Sequence, residues 1–207
     1  MAKHVRLELL TIVLIALMPA IAAGQALPAA GASRDLPGLP DLPGLPPDWR
    51  VTASTLADVT GDGAAEWVLV VWRPWRDWPI QQWSAAPSPI AGFHDPGGDS
   101  CHLILLDPKD GREIWAGSAL PVPFLNMVVD DVDGDGANEV LVIEGSYANS
   151  RDGPGRRVDA WRWNGFGFTM AWRSAPGRFD PSCLADAGRC GIEQDMKNTF
   201  KEIKNER

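Results

Sequence analysis

The chain has 207 residues, of which 22% are charged and 45% hydrophobic, and its formal net charge is −8. That length and apolar content suffice for one medium-sized domain with a real core, and they exclude a largely disordered chain. The negative balance argues against nucleic acid or an anionic membrane surface as a partner, because both would repel it.

Residues 1–26 read as a secretory signal peptide. Lys3, His4 and Arg6 form a basic start, Leu9 to Met18 is an apolar run, and Ala20-Ile21-Ala22 and Gly24-Gln25-Ala26 are small-residue cleavage sites. The run is shorter than the roughly 20 residues that span a bilayer. The competing reading is an uncleaved N-terminal anchor. The expectation is an exported protein, secreted, periplasmic or at the cell surface, that leaves the membrane once the signal is removed. Residues 27–48 form a Pro/Gly-rich linker in which Asp35-Leu36-Pro37-Gly38-Leu39-Pro40 recurs as Asp41-Leu42-Pro43-Gly44-Leu45-Pro46. Proline removes backbone donors and fixes φ, so neither helix nor central strand is expected there.

Residues 49–175 repeat themselves. Strands are expected at Arg50–Ala57 and Glu66–Trp72, then at His102–Leu106 and Glu113–Ala116. The second set is Phe124–Val129, Glu139–Glu144, Val158–Trp163 and Phe168–Trp172. Trp67 to Trp72 and Val140 to Ile143 are apolar on both faces, as in strands buried on both sides. Asp107-Pro108-Lys109-Asp110-Gly111 and Asn164-Gly165 carry hairpin chemistry. Residues 73–100 interrupt the first unit with a Pro-rich insertion holding Trp75, Trp78 and Trp83. The fold class expected is all-β, with two four-stranded, propeller-like units.

In both units the first two strands are joined by an acidic loop. The second runs Asp131-Val132-Asp133-Gly134-Asp135-Gly136-Ala137-Asn138-Glu139, and the first runs Asp58-Val59-Thr60-Gly61-Asp62-Gly63-Ala64-Ala65-Glu66. Packing several carboxylates into one curled loop is costly unless a cation joins them. Ca²⁺ takes six to eight hard oxygens, so it is the expected cofactor. Its candidate ligands are Asp131, Asp133, Asp135 and Glu139 with the carbonyl of Ala137, and Asp58, Thr60, Asp62 and Glu66 with the carbonyl of Ala64. Thr60 replaces a carboxylate by a neutral hydroxyl, which predicts weaker binding in the first loop. Position twelve is Val142 or Leu69, so neither loop is an EF-hand.

The two loops resemble those of FG-GAP/VCBS repeats, found in integrin α-subunit propellers and in many bacterial secreted proteins. The family pattern, D-x-D-G-D-G-x-x-D between two strands, is met by Asp131, Asp133, Asp135 and Glu139. It is met less closely by Asp58, Thr60, Asp62 and Glu66. The resemblance covers about residues 50–174. It implies that Ca²⁺ stiffens each blade and that function lies elsewhere, in binding proteins or glycans. Family propellers close with about seven blades, whereas this chain holds two. Two units could therefore pair with covered edges, or copies could self-associate.

Residues 176–207 change character. Cys183 and Cys190 are spaced for a small disulfide loop, which an exported protein permits, and Cys101 is left as a buried thiol. Met196, Phe200 and Ile203 recur at helical spacing. Trp75, Trp78 and Trp83 are the candidate ligand surface, since exposed indoles stack on sugars and anchor interfaces. His94, Asp95, Asp99, Cys101 and His102 cluster in sequence, but adjacent strand residues point to opposite faces. No G-x-S-x-G, H-E-x-x-H or phosphate-cradling loop is present. The reading is a non-enzymatic binding or adhesion module for an extracellular protein or glycan. The alternatives are an extracellular enzyme or accessory subunit acting on polysaccharide, and a structural envelope component.

Overall fold

The computed structural model describes residues 45–80, 83–149, 151–185 and 190–205. The expected signal peptide and linker residues 27–44 lie outside the described residues. Eight strands follow in order: β1 (Arg50–Ala57), β2 (Glu66–Pro74), β3 (Asp99–Leu106), β4 (Glu113–Ala116), β5 (Phe124–Asp130), β6 (Glu139–Glu144), β7 (Arg157–Trp163) and β8 (Phe168–Arg173). They pair antiparallel as β1-β2-β3-β4 and β5-β6-β7-β8. The all-β expectation and the eight expected strands agree with this, with ends that differ by three residues at most.

The repeat extends to backbone irregularities. β1 shifts register against β2 between Val51 and Ala53, and β5 does so against β6 between Phe124 and Asn126, each 73 residues later. A second shift falls between Leu105 and Leu106 in β3 and between Ala160 and Trp161 in β7. There the offset is 55 residues, because the β2–β3 connection of the first sheet carries the insertion. Bulges bend and twist a strand locally, so both sheets are bent at the same places.

The two sheets stack head to tail. Val68 and Val70 of the first sheet face the core between the sheets, where they meet Val140 and Val142 of the second. Their repeat equivalents, Leu141 and Ile143, face the other way, into an outer core. Leu69 and Val71 face the outer core of the first sheet. Each sheet therefore offers one face to the neighbour on one side and the opposite face to the other. β2 and β6 are apolar on both faces because both faces are covered, and each buried branched side chain contributes about 1.5–3 kcal/mol.

The C-terminal region covers the outer face of the second sheet. A 3-10 turn (Pro181–Ala185) and helix α1 (Glu193–Asn205) bring Leu184, Met196 and Phe200 onto Leu141, Ile143, Val158 and Trp172. Met196 and Phe200 are buried at the expected helical spacing, while the side chain of Ile203 lies outside the described residues. Cys183 and Cys190 are joined by a disulfide. On the opposite side, Leu45 and Trp49 pack on Leu69, Val71, Ile104 and Leu106. Cys101 is buried against the Phe124 backbone, and burial pushes its thiol up to about 12, which leaves it unreactive.

The insertion is anchored. Trp75 extends the β2–β3 ladder through a bond from its N–H to the Gly98 carbonyl, 2.8 Å. Arg151, from the β6–β7 connection, bonds Asp95 at 2.6 Å and Asp99 at 2.7 Å. Its guanidinium lies 4.1 Å over the Trp72 ring. The acidic part of the sequence cluster His94–His102 therefore serves an arginine, not a transition metal.

A buried carboxyl pair stands at the far end of β6. Glu144 and Asp159, 5% and 0% exposed, share Arg173 at 2.5 and 2.8 Å. Burial first, and then Asp159 beside it, raises Glu144 to about 7 from its ordinary 4.5. A raised carboxyl holds its proton more tightly in the folded state. Its stabilising contribution is therefore complete below the ordinary value and is lost as pH rises through about 7. Glu144→Gln should remove this slope. Urea unfolding across pH 4.5 to about 7 should show the variant gaining on the wild type as pH rises. In the outer core of the second sheet, Phe200→Ala should cost about 3 kcal/mol, the usual scale for emptying a buried phenyl site. Chemical denaturation of the two chains measures it.

Candidate metal centres

Both acidic loops curl in the same way, and the curl follows from the backbone demands of two glycines each. Gly61 and Gly63 have φ of 76° and 89°, and Gly134 and Gly136 have 71° and 89°. A side chain at such angles is strained. The curl aims N–H groups inward. Asp58 accepts from the N–H groups of Gly61 (2.7 Å) and Gly63 (2.8 Å). Asp131 accepts from those of Gly134 (2.8 Å) and Gly136 (2.9 Å). Glu66 and Glu139, the first residues of β2 and β6, reach back to accept from Val59 (3.1 Å) and Val132 (3.2 Å).

The result is two groups of carboxylates. Asp58, Asp62 and Glu66 each offer an oxygen within 4.8 Å of the others, and so do Asp131, Asp133 and Glu139. Glu66 is 3% exposed and Glu139 0%, so a buried carboxylate closes each group. All donors are hard oxygens, which suits a divalent cation of the Ca²⁺ or Mg²⁺ kind and not a thiolate or imidazole site. Thr60 stands beside the first group, its hydroxyl donating to Glu66 at 3.2 Å. Ala64 and Ala137 are fixed by their N–H groups, which bond Asp62 and Asp135. Asp135 is not among the three grouped residues of the second loop.

Two residues at these centres were not singled out by the sequence reading. The first is Arg162 on β7, which stands opposite Glu139 in the strand register. Its guanidinium lies 2.5 Å from Glu139, 3.0 Å from Asp133 and 3.2 Å from Asp135. The equivalent position in the first sheet is Asp107, whose carboxylate turns to Lys109 and Arg112 instead. Burial nevertheless outweighs the guanidinium and holds Glu139 above its ordinary value. The second is Asn138, whose amide donates to the Asp58 carbonyl at 2.7 Å. The two loops therefore touch, and a change in one backbone is felt in the other.

Arg162 alters the expected ranking of the loops. The reading that Thr60 weakens the first loop counts Asp133 as one additional charge in the second. Arg162 offsets that charge. The first loop then holds Asp58, Asp62 and Glu66, and the second holds four carboxylates against one guanidinium, so the local balance is −3 in both when every carboxylate is ionised.

The Trp candidates divide. Trp75 is half-buried and donates to the Ile90 carbonyl, with the His94 ring 4.8 Å away. Trp78 is 44% exposed and Trp83 75% exposed. Trp78 lines a cavity with Trp49, Arg73 and His102, whereas Trp75 turns inward to hold the insertion together. No helix among the described residues is long and apolar enough to cross a membrane.

Comparison of the chain with protein-family models, curated proteins and solved structures gives no match.

Replacing Arg162 by Gln leaves the second carboxylate group without its built-in cation. Without divalent ions the variant should lose about 2 kcal/mol, less than a fully buried pair because Arg162 is partly exposed. Added Ca²⁺ should raise its Tm more than that of the wild type. Scanning calorimetry at several Ca²⁺ concentrations compares the two responses.

Proposed function

We propose that the chain is an exported, calcium-stabilised binding module. Two propeller-like units would be stiffened by Ca²⁺ and would present a surface to an extracellular protein or glycan. The observation that carries this reading is the pair of all-oxygen carboxylate groups, formed by two copies of one loop and placed in the same register of two stacked sheets. Asp58, Thr60, Asp62 and Glu66 with the Ala64 carbonyl would hold one ion. Asp131, Asp133 and Glu139, with Asp135 and the Ala137 carbonyl, would hold the other. A bound ion supplies charge compensation at these loops; the surface that meets a partner lies elsewhere.

The resemblance to FG-GAP/VCBS repeats points the same way, and the Cys183–Cys190 disulfide suits an oxidising compartment. Two further observations favour binding over catalysis. The Ser100 hydroxyl lies 2.8 Å from His102 Nε2, but Ser100 is 1% exposed and is not among the residues that line the cavity His102 borders. The Glu144–Asp159 pair is likewise closed over by Arg173.

Ca²⁺ at 100 times its Kd should add about 2.7 kcal/mol per site, or roughly 5–10 °C in Tm for a domain of this size. The double variant Asp58→Asn, Asp131→Asn should lose the response. Thermal unfolding of the full chain with Ca²⁺ and with chelator tests this, and equal Tm values in the two conditions would reject it.

A further inference from the structure

The end of the first sheet away from the metal loops carries a cavity of about 410 Å³. This is within the range of small-molecule sites, about 300–1,000 Å³. Its walls include Asp48, Trp49, Arg73, Arg76, Trp78 and His102. Arg73 follows Leu69 and Val71 on the outer face of β2, so the strand itself carries its guanidinium into the cavity.

Arg73 is a half-buried cation with no carboxylate in ion-pair contact among the described residues. Neither it nor Arg76 has an ion pair within 4.0 Å among the described residues, whereas Arg151, Arg162 and Arg173 each take two or three carboxylates. What Arg73 has instead is the Trp49 ring, 5.4 Å below it, and His102 Nδ1 at 3.2 Å. The same Nδ1 lies 3.0 Å from the Gly117 carbonyl. One nitrogen cannot both accept from Arg73 and donate to Gly117, so one of these contacts is unmade. Burial keeps His102 neutral down to about 4, so the ring adds no second charge there. Burial disfavours the Arg73 cation most, Glu113 favours it from a distance, Arg76 adds a like charge against it, and Asp48 favours it least. Burying a cation with no carboxylate in contact is costly, and a bound carboxylate offsets that cost by a bidentate, charge-assisted pair. Beside the two arginines stands Trp78, 44% exposed, whose ring offers the apolar face on which a pyranose stacks.

We propose that this cavity binds a carboxylated sugar, its carboxylate held by Arg73 and Arg76 and its ring stacked on Trp78. The proposal rests on the reading of the chain as a binding module and names the class of glycan it takes.

The test is isothermal titration of the full chain with trimers of galacturonate, glucuronate and mannuronate, with the methyl ester of each trimer, and with acetate. The ester keeps the ring and removes the charge. At least one acid trimer should bind, its ester should bind about tenfold or more weakly, and acetate should bind more weakly still. Arg76→Gln, on a side chain that packs in no core, should reduce binding of the acid trimer by a similar factor, and Trp78→Ala should reduce binding of trimer but not of acetate. Equal affinity for acid and ester, acetate as tight as the trimer, or binding that survives both Arg73→Gln and Arg76→Gln would overturn the cavity assignment. Retention of only the esters would overturn it too while leaving the binding module standing. Release of reducing ends from an acid trimer, with Arg76→Gln acting on KM alone, would support the cavity and overturn the non-enzymatic reading.

Discussion

The structure depends on two strands that cannot tolerate water on either side. β2 and β6 carry Val68 to Val71 and Val140 to Ile143, all at or near zero exposure. An amphipathic sheet needs one partner layer, but a sheet centred on such a strand needs two. The two sheets can satisfy each other on only one face apiece. The remaining faces must be covered from outside the repeat, and this requirement accounts for what flanks it. Helix α1 and the disulfide-closed turn lie on one outer face, with Leu45 and Trp49 on the other. The short flanking segments are layers of the fold in this sense, although neither belongs to the repeated unit.

A second constraint is charge. The chain is acidic, and it places carboxylates in low-dielectric positions at both ends of the strands. Arginine is the recurrent answer: Arg162 at the second loop, Arg173 over Glu144 and Asp159, Arg151 between the insertion and the second sheet. Each has a planar fork that serves two or three carboxylates at once, which an ammonium point charge does less well. Against that background the two exceptions are informative. Among the described residues, the first loop gathers Asp58, Asp62 and Glu66 with no guanidinium beside them. The cavity by Trp49 gathers two guanidinium groups with no carboxylate in ion-pair contact among the described residues, Asp48 lining it at a distance. These two places lie at opposite ends of the same sheet.

Much of the fold was legible in the sequence because local chemistry and repetition agreed. Glu66 and Glu139 are 73 residues apart, the glycine spacing is the same in both loops, and the strands that follow are apolar throughout. Consistency of that kind across levels is what specifies a structure. What the sequence left dark is cross-strand and cross-sheet. Arg162 meets Glu139 only because of the β6–β7 register, set by a twelve-residue connection too long for a two-residue hairpin to fix, at an offset of 55 and not 73. Asn138 reaches Asp58 only because the sheets stack. Leu45 read as part of the linker, yet it packs with Trp49 on the outer core of the first sheet. Periodicity reports which residues are buried, not which element buries them.

Head-to-tail stacking explains why two units can suffice. A repeat that offers opposite faces to its two neighbours is a heterologous contact, and such contacts continue until they close into a ring or meet a cap. In stacked-repeat proteins the cap is a segment with one apolar side and one polar side. Helix α1 has that form. Met196 and Phe200 face Leu141 and Ile143, while Gln194, Asp195 and Lys197 face solvent. It occupies the place where a third sheet would present its own apolar face. At the other end, Trp49 lies on Leu69 and Val71, the positions that in the second sheet are Val142 and Glu144. Glu144 is one of the few polar residues on a face that the neighbouring sheet covers, and it is held there by Arg173, which also binds Asp159. The first sheet has Val71 at that position, and its neighbour is an indole instead of another sheet. The difference between an internal face and a terminal one is thus written in a single repeat position.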